Sequence, residues 1–377
     1  MFNIPITKPY LGEEEKRLVA QVIDSGWVSQ GPKVAEFEEI FARYVGARYA
    51  VATTSCTTAL HAALSVSGVC PGDEIILPSL SFIATANSAL YCGLKPVFVD
   101  VDLNTCNMDA IKIEKAITEK TKAVMPVHQM GLPADLDSIK ESSRGRGLLI
   151  IEDAACAVGS EYKGTKIGGH GNIACFSFHP RKIITTGEGG MITTDDASVA
   201  ERLRRFRHHG MSVSDVERHM AKAVIMETYP ELGYNFRMTD IQAAIGIEQM
   251  KKLPYILENR TRLAHTYDNE LAGIPHLRIL EVPSYARPNY QSYWIELMDS
   301  ASIDRNALMY RLLQKGIATR RGIMAIHREA CFREHAGSRL PNTERITDKT
   351  LLLPLYPGLS DEEQAFIIDS LKEILMK

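Results

Sequence analysis

The chain has 377 residues, 45% of them hydrophobic and 24% charged, an ordinary composition for a soluble globular protein with room for two domains and a large core. Its formal net charge of −3 offers no basic field for nucleic acid or an anionic membrane, and no apolar run is long enough to cross a bilayer. The seven cysteines are scattered without a Cys-x-x-Cys pair, and the N-terminus carries no apolar signal core. That pattern argues against a zinc site or a disulfide framework and suits a reducing cytoplasm.

Leu18, Val19, Val22 and Ile23 recur at helical spacing and predict a helix over 12–25, after an acidic first turn. Trp27-Val28-Ser29-Gln30-Gly31-Pro32 breaks it. Val34, Phe37, Ile40, Phe41 and Tyr44 then form the apolar face of a second helix. A short strand over 49–52 leads into Thr54-Ser55-Cys56-Thr57-Thr58, small and hydroxyl residues that open a helix ending near Ser67. Such a start leaves backbone N–H groups free, either for an ordinary N-cap or for an anion. A strand over 73–77, a helix entered through Pro78-Ser79-Leu80-Ser81-Phe82, and a strand over 96–100 follow. Next come a helix over 109–117, a strand over 123–127 that ends in His128, and a helix over 136–142. Strand alternates with helix throughout, which implies a mostly parallel sheet with helices on both faces.

The apolar run 148–152 ends in Asp153-Ala154-Ala155. An acid just past a buried parallel strand lies at the carboxyl edge of a sheet, where α/β folds bind ligands. Ile173 to His179 is a second short apolar run, stopped by Pro180, which has no N–H to donate. Lys182 follows, and Gly187, Gly189 and Gly190 allow a tight return into a strand over 191–194. Burial between two strands disfavours the charged form of a lysine, and a neutral amine is a nucleophile. The local pattern fits a surface-loop lysine equally well. A lysine that forms a Schiff base, with an acid that pairs with a pyridinium nitrogen, is the arrangement of pyridoxal 5'-phosphate (PLP) sites.

Ser177-Phe178-His179-Pro180-Arg181-Lys182 followed by Thr186-Gly187-Glu188-Gly189-Gly190 resembles the PLP-lysine motif of the DegT/DnrJ/EryC1/StrS family. These are fold-type-I aminotransferases, acting mostly on keto sugars carried on nucleotides. The resemblance runs from Gly26-Trp27-Val28 to Leu353-Pro354-Leu355. It implies an α/β fold with a large PLP-binding domain over 1–250 and a smaller C-terminal α/β domain over 251–377. Lys182 and Asp153 become the catalytic pair, with Lys182 holding PLP and Asp153 keeping its ring nitrogen protonated. Cys56, Thr57 and Ser177 fall at positions that meet the PLP phosphate; many relatives have Gly where this chain has Cys56. The aromatic at the Phe82 position stacks on the pyridine ring, against the plain reading of a core Phe. Cys156 stands where the family often places Gln or His, near the PLP phenolic oxygen, and a thiol is a weaker donor. His128 resembles the histidine of the family's Val-His-x-x-Gly and reads as structural. Gly233-Tyr234-Asn235-Phe236-Arg237 matches Gly-Tyr-Asn-x-Arg, whose Asn reaches the PLP phosphate of the neighbouring subunit. That match implies a homodimer with shared active sites.

The basic run from Arg202 to His209 closes a helix over 197–208 and reads as its solvated end. Residues 211–231 have weak periodicity and read as a mobile loop near the site. Thr239 and Gln242 form a capping box for the next helix. In the smaller domain a strand over 293–298, a helix over 305–315 and a strand over 317–320 are predicted. Arg320 and Arg321, adjacent in an extended segment, point to opposite faces, so one at most enters a cleft. Arg320 and His327 are the candidate substrate-binding residues, for a nucleotide-sugar pyrophosphate or the carboxylate of an amino donor. A solvated surface pair fits the arginines as well. Ser360 and Glu363 cap the last helix, whose apolar face is Ile367, Leu371, Ile374 and Leu375.

The resemblance implies transfer of an amino group from glutamate or glutamine to a keto sugar, by a ping-pong route through Lys182. Three rivals stand against it. A sugar dehydratase of the same family has His in place of the lysine, which Lys182 opposes. A catalytically silent PLP-fold binding or regulatory protein is opposed by the complete Asp153–Lys182 pair. A nicotinamide enzyme rests on Gly187-Glu188-Gly189, which precedes a strand rather than a helix.

Overall fold

A computed structural model describes residues 3–213, 218, 221–335, 337 and 339–376. Nine strands precede the long helix Asp240–Leu271: β1 (Tyr49–Thr53), β2 (Glu74–Pro78), β3 (Lys95–Val99), β4 (Thr121–Val124), β5 (Leu149–Asp153), β6 (Glu161–Tyr162), β7 (Thr165–Lys166), β8 (Ile173–Ser177) and β9 (Gly190–Thr194). Five follow it: β10 (Leu277–Ile279), β11 (Ala286–Arg287), β12 (Tyr293–Leu297), β13 (Arg320–Arg321) and β14 (Thr350–Leu353). The main sheet has the order β1-β9-β8-β5-β4-β2-β3. β9 pairs antiparallel with both neighbours, and the remaining pairs are parallel.

β2 and β9 are buried along their whole length and read in sequence as unbroken runs without polar alternation, as strands covered on both faces must. Because β1, β2, β5 and β8 run the same way, their carboxyl ends fall at one edge. That edge collects Ser55 and Cys56 after β1, Phe82 after β2, Asp153 at the end of β5 and Ser177 at the end of β8. Gly190 opens β9 at the same edge, opposite both Thr53 and Ser177. A Cβ there would lie 2.4 Å from the Ser55 carbonyl oxygen, so only glycine fits.

The smaller domain is built on the antiparallel sheet β10-β12-β14-β13. The division at residue 250 does not follow the structure. Helix Asp240–Leu271 runs through it, burying Ala243, Ile247, Leu253 and Ile256 in the large core and Leu263, Tyr267 and Leu271 in the small one. The N-terminal segment also belongs with the small domain. Ile4 is fully buried there; its N–H donates to the Gly316 carbonyl at 2.8 Å and its carbonyl accepts from Ala318 at 2.9 Å. A single paired residue leaves no periodic signal in the sequence. The strand predicted over 317–320 is correspondingly shifted, to Arg320–Arg321.

The basic run is not a solvated end. Arg207 is buried, paired with Glu38 and donating to the Ala52 carbonyl at 2.6 Å. Of residues 211–231, positions 214–217, 219 and 220 lie outside the described residues, and the others form no helix beyond Arg218 and no strand. The helices Pro32–Val45 and Asp240–Leu271 are tied by Asp240, whose buried carboxylate accepts from the amides of Gly31 (2.8 Å), Lys33 (3.0 Å) and Val34 (3.0 Å). Burial pushes this carboxyl up, and the three amides offset only part of that. Asp240→Ala strands three helix-start donors and is expected to cost about 2 kcal/mol or more. The midpoint of chemical denaturation measures it; an unchanged midpoint would remove Asp240 from the framework.

Candidate active site

Asp153 and Lys182 meet in a cavity of about 430 Å³ at the carboxyl edge of the main sheet. Cys56, Thr57, Phe82, Cys156, Ser177 and Arg320 also line it, so eight of the ten predicted site residues come together. Asp153 is buried. Its Oδ2 accepts from Thr85 Oγ1 at 2.7 Å and its Oδ1 from the Ala155 amide at 3.1 Å. Among the described residues it makes no ion pair, although a buried carboxylate calls for a cation.

Lys182 sits in the loop between β8 and β9. Phe178 starts that loop and anchors it: the ring is fully buried against Phe37 and Phe41, with centroids at 5.2 and 5.6 Å. The Phe178 carbonyl accepts from Thr186 N and Thr185 Oγ1, which folds the loop back. Gly187 closes it at φ +84. The Lys182 Nζ donates to Cys156 Sγ at 3.1 Å. Burial lowers its pKa, but the hydrogen-bonded Cys156 sulfur and the nearby Asp153 carboxylate outweigh burial and raise it above its ordinary value. The Cys56 thiol is itself pushed far up by burial, then by Asp153.

The helix Cys56–Val66 points its start at the cavity. Ser55 caps it by accepting from Thr58 N at 3.2 Å, while the amides of Cys56 and Thr57 have no hydrogen-bond partner among the described residues. Phe82 is 60% exposed, which rules out the core reading. Two predicted residues lie elsewhere. His327 is buried on the far side of the Pro78–Phe82 turn, with Nδ1 2.6 Å from Ser79 Oγ, and does not line the cavity. Asn235 is exposed, paired with His208 across a β-bridge, and also outside the cavity of its own chain. Of the two arginines, Arg320 lines the cavity and Arg321 does not.

The profile of the DegT/DnrJ/EryC1/StrS aminotransferase family matches residues 9–372. The chain belongs to that family. It is 37% identical over 377 residues to the spore coat polysaccharide biosynthesis protein SpsC of Bacillus subtilis, a match covering 99% of this chain and 97% of that one. The crystal structure of the aminotransferase TlmJ from Streptoalloteichus hindustanus is 34% identical, covers 99% of both chains and superposes with a TM-score of 0.91. S. venezuelae DesV, solved in complex with a ketimine intermediate, is 31% identical over 100% of both chains, with a TM-score of 0.92. The protein is thus a PLP-dependent aminotransferase of fold type I.

The cavity of this family member fits PLP on four observations. Asp153 offers a buried, cation-free carboxylate to a ring N–H⁺. Lys182 offers the one lysine amine among the described lining residues. Two free helix-start amides suit a phosphate. The exposed Phe82 ring stacks on no other ring among the described residues. Residues that sequence reasoning missed complete the wall. Thr85 orients Asp153 from within a helix whose pattern gives no hint of it. Gln291 holds the Lys182 loop by donating to the Arg181 carbonyl, and Ile6 and Thr7 arrive from the N-terminal segment.

Behind Asp153, β5 turns Glu152 to the opposite face. His128 is fully buried there; Nδ1 accepts from Ala134 N at 3.0 Å, so Nε2–H donates to Glu152 at 2.9 Å. Asn172 adds a bond at 2.7 Å. Burial would raise the Glu152 pKa, yet the bonds from His128 and Asn172 prevail and hold it below its ordinary 4.5. A carboxyl lowered by folding contributes stability that is present above its ordinary value and lost as pH falls through the folded one. Wild type should therefore lose more stability than Glu152→Gln between neutral pH and about pH 4, in paired denaturation curves. His128→Ala, which leaves Glu152 with Asn172 as its one remaining side-chain donor among the described residues, should cost about 2–3 kcal/mol at neutral pH.

Proposed function

We propose that this aminotransferase moves an amino group from L-glutamate or L-glutamine to a nucleotide-linked keto sugar, by a ping-pong route. The observation that carries the reading is the convergence of Asp153, Lys182 and the free Cys56 and Thr57 amides in one cavity, with the Arg320 guanidinium on its wall. The family supports a sugar acceptor, as does the place of SpsC in polysaccharide biosynthesis.

Lys182 would hold PLP, Asp153 would face its ring nitrogen, Phe82 would cover its ring, and the amides of Cys56 and Thr57 with the Ser177 hydroxyl would take its phosphate. When bound, the cofactor supplies an electron sink for the Cα–H bond of the amino donor. Lys182 Nζ, once displaced by the donor, takes the Cα proton and returns it as general acid. Arg320 makes no ion pair among the described residues and is available for the donor carboxylate or the diphosphate of the acceptor. Lysine at position 182, rather than histidine, favours transamination over sugar dehydration.

An absorbance spectrum of the protein with PLP tests this reading. A visible band should form, vanish on addition of L-glutamate or L-glutamine, and be absent in Lys182→Ala. A band indifferent to both donors would sink the donor assignment, and no band would sink the role of Lys182.

The active site is shared between two copies in this reading. Asn235 is exposed beside Tyr234 and close to Leu232, 37% and 79% exposed, which supports a second copy covering this surface and receiving Asn235. If so, mixing Lys182→Ala with Asn235→Ala rebuilds one intact site per heterodimer. Activity should reappear on subunit exchange, whereas a site within one chain would leave the mixture silent. Among the described residues no helix is long and apolar enough to cross a membrane.

A further inference from the structure

Cys156 is the one cysteine among the described residues with its sulfur within bonding distance of an amine. Cys106 and Cys175 are buried in the core, Cys56 lines the cavity with its sulfur on the Cys175 carbonyl, Cys92 and Cys70 bond to hydroxyl or carbonyl oxygens, and Lys182 Nζ lies 3.1 Å from Cys156 Sγ. Both groups line the same cavity. The separation is also built in. Asn289 Nδ2 donates to the Cys156 and Val158 carbonyls, each at 2.8 Å, and pins the sulfur's loop. Asn289 Oδ1 accepts from Gln291 N at 2.8 Å, and the Gln291 side chain in turn donates to the carbonyl of Arg181, next to Lys182. One short segment, 289–291, thus clamps the loop of the thiol to the loop of the amine. Reacting atoms held near 3 Å are in near-attack range.

We propose that Cys156 and Lys182 form an oxidation site, at which hydrogen peroxide joins them through a sulfur–nitrogen bond and blocks the lysine. The chemistry balances without further reactants. The Cys156 thiolate attacks peroxide; an S–O bond forms, the O–O bond breaks, and the departing hydroxide takes a proton from the Lys182 ammonium to become water. The freed amine then attacks sulfur; the S–N bond forms and the S–O bond breaks. The leaving hydroxide takes the second proton, giving a second water. Sulfur is oxidised by two electrons and peroxide is reduced. The Lys182 ammonium serves the first step as a proton donor beside the leaving oxygen, 3.1 Å from the attacking sulfur. The sulfenic stage is reversible by thiols, and amine capture keeps it from further oxidation. The site is open whenever Lys182 is not engaged with the cofactor.

The test is peptide mapping by mass spectrometry of the cofactor-free protein after hydrogen peroxide treatment and digestion without reductant. The expected product is a joined pair of peptides containing Cys156 and Lys182, lighter than their sum by two hydrogen atoms. Dithiothreitol should separate the pair and restore PLP capture, and loading with PLP before peroxide should prevent it. In Lys182→Ala, Cys156 should stop at the sulfenic acid and be labelled by dimedone. A Cys156–Cys56 disulfide, a Cys156 carried straight to the sulfinic acid, or an unoxidised Cys156 in the wild-type protein would each overturn the proposal. The wild-type map needs no variant to fold, so the result stands independently of Lys182→Ala.

Discussion

The architecture turns on a buried carboxylate that makes no ion pair among the described residues. Asp153 ends β5, with Thr85 and the Ala155 amide on its oxygens and no cation within ion-pairing distance among the described residues. Left alone, such a group would destabilise the fold. Its cost is tolerable because the surrounding sheet positions it rigidly and because a cationic ring nitrogen is the ligand it suits. Parallel strands make this possible: they bring several carboxyl ends to one edge, so residues far apart in sequence become neighbours.

The support behind the carboxylate is equally specific. One residue back on β5, Glu152 is locked by His128 and Asn172 on the other face. His128 also binds β5 through its backbone, donating to the Asp153 carbonyl at 3.1 Å. The histidine therefore fixes the end of β5 from both sides without touching the cavity. A substitution there would act on the site only through the position of Asp153.

The Lys182 side of the cavity follows a different logic. Its loop carries no regular structure, and its position depends on Phe178 packed below it and Gln291 reaching over it. Cys156 gives the lysine a thiol neighbour at 3.1 Å. The 289–291 segment ties the loop of the thiol to the loop of the amine, so a change there would alter the distance between them.

The main sheet was legible in the sequence because most of its strands hold a short apolar run and several element starts and stops carry local chemistry: Ser55 before Cys56, Pro180 after His179, Thr239 with Gln242. Period and turn residues act within a few positions, so their meaning survives without a structure. The same locality placed Asp153 at a strand end and Lys182 in the loop after one, and motif order linked them to one family. Tertiary structure alone decided the rest. Ile4 joined the small domain through two backbone bonds, Arg207 left the surface to pair with Glu38, and His327 bonded to Ser79 rather than entering the cavity. It also set the neighbours of Lys182. Burial is a property that a sequence suggests, but the Cys156 sulfur and the Asp153 carboxylate that outweigh it arrive from another strand, and their distances exist only once the sheet has closed.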